Sequence, residues 1–157
     1  MDYKQWRKHI ECRSDFVTRI THLTKAKEGL SGLDNLIKII KDKKIQGSST
    51  ASGYIVGNDT AVCFQDAPLL AIAENLLFEE AHSDITRYEP YGLRFNKQWL
   101  YQRGARPVIY GETNTLKDML PEPEYWRIVN LNLNDGKNLI DWTHERECRF
   151  KGDIEFD

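Results

Sequence analysis

Residues 16–24, Phe-Val-Thr-Arg-Ile-Thr-His-Leu-Thr, are rich in β-branched side chains. A strand here puts Phe16, Thr18, Ile20, His22 and Thr24 on one face. Soon after, past a loop at Gly29–Gly32, the period changes. Leu33, Leu36, Ile37 and Ile40 form a helical stripe over 33–44, with Lys38, Lys41, Lys43 and Lys44 on or near the wet side. A chain that moves this early from period two to period 3.6 must pack helices on a sheet.

The rest of the chain keeps mixing the two periods. Residues 2–13 carry Tyr3, Trp6 and Ile10 at helical spacing. Gly47–Gly53 is small and polar, hence a loop. Tyr54–Val56 and Ala61–Phe64 flank a Gly57-Asn58-Asp59 turn and predict a hairpin. Pro68 opens a helix that reaches about Ala81. Tyr91–Phe95 reads as a strand, and Asn96 caps a short helix that Gly104 stops. Val108–Tyr110 (within a strand over 106–110) and Tyr125–Leu131 read as strands, with a short helix at Leu116–Leu120 between them. Glu145–Lys151 is the last long strand, and Ile154–Phe156 starts another. No regular βαβ alternation and no Gly-rich phosphate loop occurs, which excludes a Rossmann or P-loop plan. The fold class expected is α+β, one domain over 1–157, with a mixed, partly antiparallel sheet. Its core should include Leu36, Ile40, Phe95, Trp99, Ile109 and Trp126.

Composition narrows the function classes. The 22 basic and 24 acidic residues leave a formal charge of -2, so the chain lacks the overall basic field of a nucleic-acid binder. The N-terminus has no apolar stretch, and the apolar window at 67–78 is far short of the ~20 residues that span a bilayer. Three cysteines, Cys12, Cys63 and Cys148, do not make a disulfide framework. A cytoplasmic protein with no membrane partner is expected. His9 with Cys12 and His144 with Cys148 are zinc-ligand types. Neither spacing is a paired-Cys knuckle, and on a strand the second pair lies ~13 Å apart, so no metal is expected. No Gly-x-Ser-x-Gly occurs, and no cysteine has an evident base partner.

Four stretches carry a resemblance. They are Ser14–Thr24; Val62-Cys-Phe-Gln-Asp-Ala-Pro-Leu69; Tyr88–Phe95 continuing through Gly104–Tyr110; and Asp141-Trp-Thr-His-Glu-Arg-Glu-Cys-Arg149. In that order they resemble a bacterial family associated with prophages and anti-phage defence, over about Ser14 to Phe150. The family pattern has aromatic residues where this chain has His144 and Cys148. More distantly, a strand with His-x-Thr, a helix such as 35–40, an aromatic strand and a late strand bearing Glu are similar to the ADP-ribosyltransferase-like fold.

That resemblance implies NAD as substrate. His22, with Thr24, would grip the adenosine-side ribose, and Tyr54 or Phe64 would stack near the nicotinamide. Glu147, with Glu145 as rival, would stabilise the cationic sugar as nicotinamide leaves. The chemistry suits these residue types, because breaking the C1′–N bond puts positive charge on the sugar and a carboxylate favours that state over the ground state. On a strand, Glu145 and Glu147 share a face. Glu147→Gln is then expected to spare folding and NAD binding while cutting turnover. The acceptor would be a macromolecule, protein or nucleic acid. Two rivals stand beside this reading. One is an inactive module of the same fold that docks on a defence or toxin protein. The other is a nucleic-acid-acting toxin using Lys41, Lys43, Lys44 and the carboxylates. Without the resemblance, His22 is a polar strand residue, Glu145 and Glu147 are a solvated strand face, and Tyr54 and Phe64 are packing residues.

Overall fold

Asp2 and Ser31 each close a reciprocal cap with the residue three positions on, which fixes where the first two helices start. A computed structural model describes residues 1–157. In chain order the elements are α1 (Tyr3–Glu11), β1 (Arg19–Leu23), α2 (Gly32–Asp42), β2 (Lys44–Ile45), β3 (Ala61–Gln65), α3 (Leu69–His82), β4 (Gly92–Asn96), α4 (Lys97–Gln102), β5 (Arg106–Pro107), β6 (Ile109–Gly111), α5 (Thr113–Met119), β7 (Ile128–Asn130), β8 (Glu147–Lys151) and β9 (Ile154–Glu155). Short 3-10 turns occupy Thr50–Ser52, Glu122–Arg127 and Thr143–Glu145.

The main sheet has five strands in the order β4-β1-β3-β8-β5, all antiparallel. Two small sheets flank it: antiparallel β2-β9 and parallel β6-β7. The architecture is therefore α+β with a mainly antiparallel sheet, as the mixed periods predict. No helix is long and apolar enough to cross a membrane.

Residues directly opposite in a ladder share a face. Phe64 faces Cys148, and Ile20 and Phe64 join Val62, Cys148, Leu100, Ala105, Ile45 and Ile154 in the main core. Thr21, Gln65 and Glu147 are in register on the other face. A smaller cluster holds Ile55, Ala61 and Trp126.

Several expectations are corrected. Tyr54–Val56 is loop, not a hairpin arm; β3 finds both its partners far away in sequence. The expected strand over 106–110 is cut at Val108, whose N–H bonds Glu147 O, so β5 joins the main sheet and β6 a separate one. Residues 122–127 turn as a 3-10 helix after Pro121, leaving only 128–130 extended. Nor is there one sheet: the expected strands are divided among sheets. The core face of α2 is also rotated from the expected stripe. Ile39 packs on the main core, Leu36 is half-buried, and Ile40 is 52% exposed. Phe95 and Trp99 are partly buried against the core, Ile109 is half-buried, and Trp126 is buried. Asn96 does cap α4, its side chain accepting from the Trp99 N–H.

Candidate functional site

Strands β1 and β3 are in register at one position, Thr21 opposite Gln65, whereas β1–β4 and β3–β8 each stay paired over five. Past Thr21, the His22 side chain takes over from the ladder: its Nδ1 lies 2.9 Å from the Cys63 carbonyl. A carbonyl only accepts, so Nδ1 carries the proton and the neutral ring leaves Nε2 as an acceptor. No protein group bonds that nitrogen. Burial lowers the pKa of His22, against the opposing effect of the Cys63 bond.

A cleft of about 590 Å³ opens where the two strands part. It is lined by His22 from β1 and Thr24 just after it, Ile39 from α2, Cys63 from β3, Glu145 from the 143–145 turn, and Glu147 and Arg149 from β8. By alternation His22 belongs to the core face, and its ring meets Phe64 edge-on at 5.8 Å. Glu147 belongs to the opposite face. The parting of β1 and β3 is what lets one cavity reach both.

The six expected site residues divide as follows. His22, Thr24, Tyr54, Glu145 and Glu147 line the cleft. Phe64 does not; it is 1% exposed and packs beneath His22 in the core. Thr24 uses its hydroxyl structurally, donating to Gly32 O at 2.7 Å and Tyr91 O at 3.2 Å. Tyr54 lines the cleft but is more than half exposed.

The two carboxylates share the cleft, but not through strand alternation. Glu145 ends a 3-10 turn, and Arg146 takes a left-handed conformation at φ 45° before β8 begins. Glu145 bonds Arg87, which also meets Glu79 at 3.1 Å and lies 4.2 Å from the Trp142 ring centre. Burial pushes the Glu145 carboxyl up, and Arg87 opposes the shift. Glu147 receives Arg149 Nε at 2.7 Å and Nη2 at 3.2 Å. Arg149 is 2% exposed and also donates to the carbonyls of Trp126, Ile128 and Tyr54. The Glu147 N–H donates to Tyr110 Oη, and burial pushes that phenol up to about 12. Glu147→Gln would take the anion from a buried guanidinium, so the structure predicts a cost in folding stability where the sequence reading expects folding to be nearly intact.

Sequence reasoning missed Arg149, Arg87, Tyr88 and Trp142, all on the cleft wall. For Arg149 the signal was its position two residues after Glu147, which on a strand puts a cation and a carboxylate on one face. Nothing local marked Arg87, whose partners come from α3 and the 143–145 turn. Of the lysines, Lys38 and Lys44 line the cleft and Lys41 and Lys43 do not. Comparison with known proteins adds no relative: no family model, no curated protein and no solved structure matches the chain.

Proposed function

We propose that the cleft binds NAD and that the protein is an ADP-ribosyltransferase-like protein acting on a macromolecule in phage–bacterial conflict. The supporting observation is convergence. His22 on β1 and Glu147 on β8 come from opposite ends of the chain and line one cavity. Its volume is in the range of small-molecule and cofactor pockets. His22 Nε2 is an acceptor suited to a ribose hydroxyl. Tyr54, Tyr88 and Trp142 supply rings for the nicotinamide or for an acceptor base. Glu147 accepts from Arg149 through both oxygens, and a carboxylate has further lone pairs with which to meet a sugar hydroxyl.

A specific observation favours a second reading. Both carboxylates are ion-paired, Glu147 with Arg149 and Glu145 with Arg87, and a neutralised pair stabilises a cationic sugar less than a free carboxylate. An inactive module that regulates a defence or toxin protein fits that pairing. Leu33, Ile37 and Ile40 are exposed on α2 and offer it an apolar face.

Titration with NAD and an assay of nicotinamide release, with cell lysate or nucleic acid as acceptor, separate the readings. Binding with release is expected. Binding without release moves the assignment to the regulatory module. Loss of both rejects NAD, and a pull-down from bacterial lysate should then recover a stoichiometric protein partner.

A further inference from the structure

Six cationic side chains line the cleft, and four are spoken for. Arg149 holds Glu147, Arg87 holds Glu79 and Glu145, Lys44 holds Asp153 and Glu155, and Lys27 meets Glu28. Lys25 and Lys38 make no ion pair. Both stand on the α2 side. Lys25 directly follows Thr24, and its carbonyl receives Asn35 Nδ2 at 2.8 Å. That bond ties the loop after β1 to α2. Lys38 lies one turn beyond Asn35 on the same helix face. Asp42 continues that face one further turn, so the local charge is two ammonium groups against one carboxylate.

We propose that Lys25 and Lys38 form a phosphate subsite that takes the diphosphate of a nucleotide ligand. This rests on the reading of the cleft as an NAD site and adds the orientation of the ligand in it. Lysine ammonium groups are compact phosphate-binding charges, and unpaired cations in a concave wall draw anions to it. Around Glu145 and Glu147 the arginines Arg87 and Arg149 are already ion-paired, so that part of the lining offers a diphosphate no free cation. The unpaired cations of the lining thus orient the ligand: phosphates at Lys25 and Lys38, and the sugar that becomes cationic toward Glu147.

The test uses titration calorimetry with three probes: NAD, ADP and nicotinamide riboside, which has no diphosphate. Lys25→Ala and Lys38→Ala change exposed side chains, so melting temperatures should match the parent chain. Each is expected to weaken NAD and ADP by about tenfold and to leave nicotinamide riboside unchanged. NAD binding that neither substitution alters overturns the subsite and leaves the NAD reading standing. ADP binding that depends on both lysines, with no NAD binding, supports the subsite and rejects the NAD reading. Failure of both ADP and NAD to bind overturns both.

Discussion

Arg149 grips Glu147 through both carboxylate oxygens, two residues along the same strand and on the same face of the sheet. The pair is 2% and 8% exposed at its side chains. It joins the floor of the cleft to its walls, because the same guanidinium bonds the carbonyls of Tyr54, Trp126 and Ile128.

Breaking this pair should be costly. Glu147→Gln removes the only anion against a buried guanidinium and should destabilise the fold by about 3–5 kcal/mol. Arg149→Met should cost at least as much, since three carbonyls lose their donor as well. Urea unfolding at neutral pH measures both. A loss under about 1 kcal/mol for Glu147→Gln would show that the pair is solvated.

Gly92 sits opposite Leu23 in the β1–β4 ladder, and a Cβ there would lie 2.2 Å from the His22 carbonyl oxygen. Backbone must move to admit it. Gly92→Ala should cost about 1–3 kcal/mol and speed amide exchange along β1. Unchanged stability would mean that the two strands can separate freely.

Proton linkage gives a third outcome. The native pKa of His22 lies below its ordinary value because of burial. The unfolded chain therefore takes up a proton first on acidification, and stability falls as pH drops through about 6.5 toward the native pKa. His144 acts in the same direction, through burial and then Arg87. Glu145, raised by burial, has the opposite sign, with its contribution full at low pH and lost as pH rises through its native pKa. Unfolding free energy should drop between about pH 7.5 and about pH 5.5. In His22→Gln, which retains a donor for Cys63 O, the drop should be smaller. An identical slope in the two proteins would place His22 in solvent.

Helix α2 offers the simplest contrast. Ile39 packs on the main core and Ile40 is 52% exposed. Ile39→Ala should cost about 2 kcal/mol or more, and Ile40→Ala within about 0.5 kcal/mol of nothing. Chemical denaturation of the two variants side by side decides it. Equal losses would mean that both side chains are buried.

These residues also show what a sequence of this kind makes legible. Asn96 marks a helix start through its capping side chain and Pro68 through its fixed φ, so α4 and α3 could be read locally. The mixed α+β character followed from the change of period between 16–24 and 33–44. Strand pairing did not follow, because β3 pairs with residues 19–23 and 147–151 rather than with its neighbour at 54–56, and no local pattern encodes a partner that far away. The stripe on α2 misled for a related reason: three of its apolar residues face outward, and only the tertiary packing against the main core shows that Ile39 is the inward one. At the site, His22, Glu145 and Glu147 line one cleft, but the Glu-x-Glu spacing does not act through an extended strand, because a left-handed Arg146 does the turning.

The strand order carries a consequence for how the molecule is made. β3 lies between β1 and β8, and β8 is synthesised last of the five. Until residues 147–151 emerge, β3 shows an unpaired edge, the carbonyls that Arg149 will hold have no donor, and the cleft has no floor. β2 likewise waits for β9. Pairings this distant along the chain form late and slowly. A nascent chain that stops short of β8 therefore carries His22, Lys25 and Lys38 but lacks Glu147 and Arg149, and a complete cleft arrives only when β8 pairs with β3.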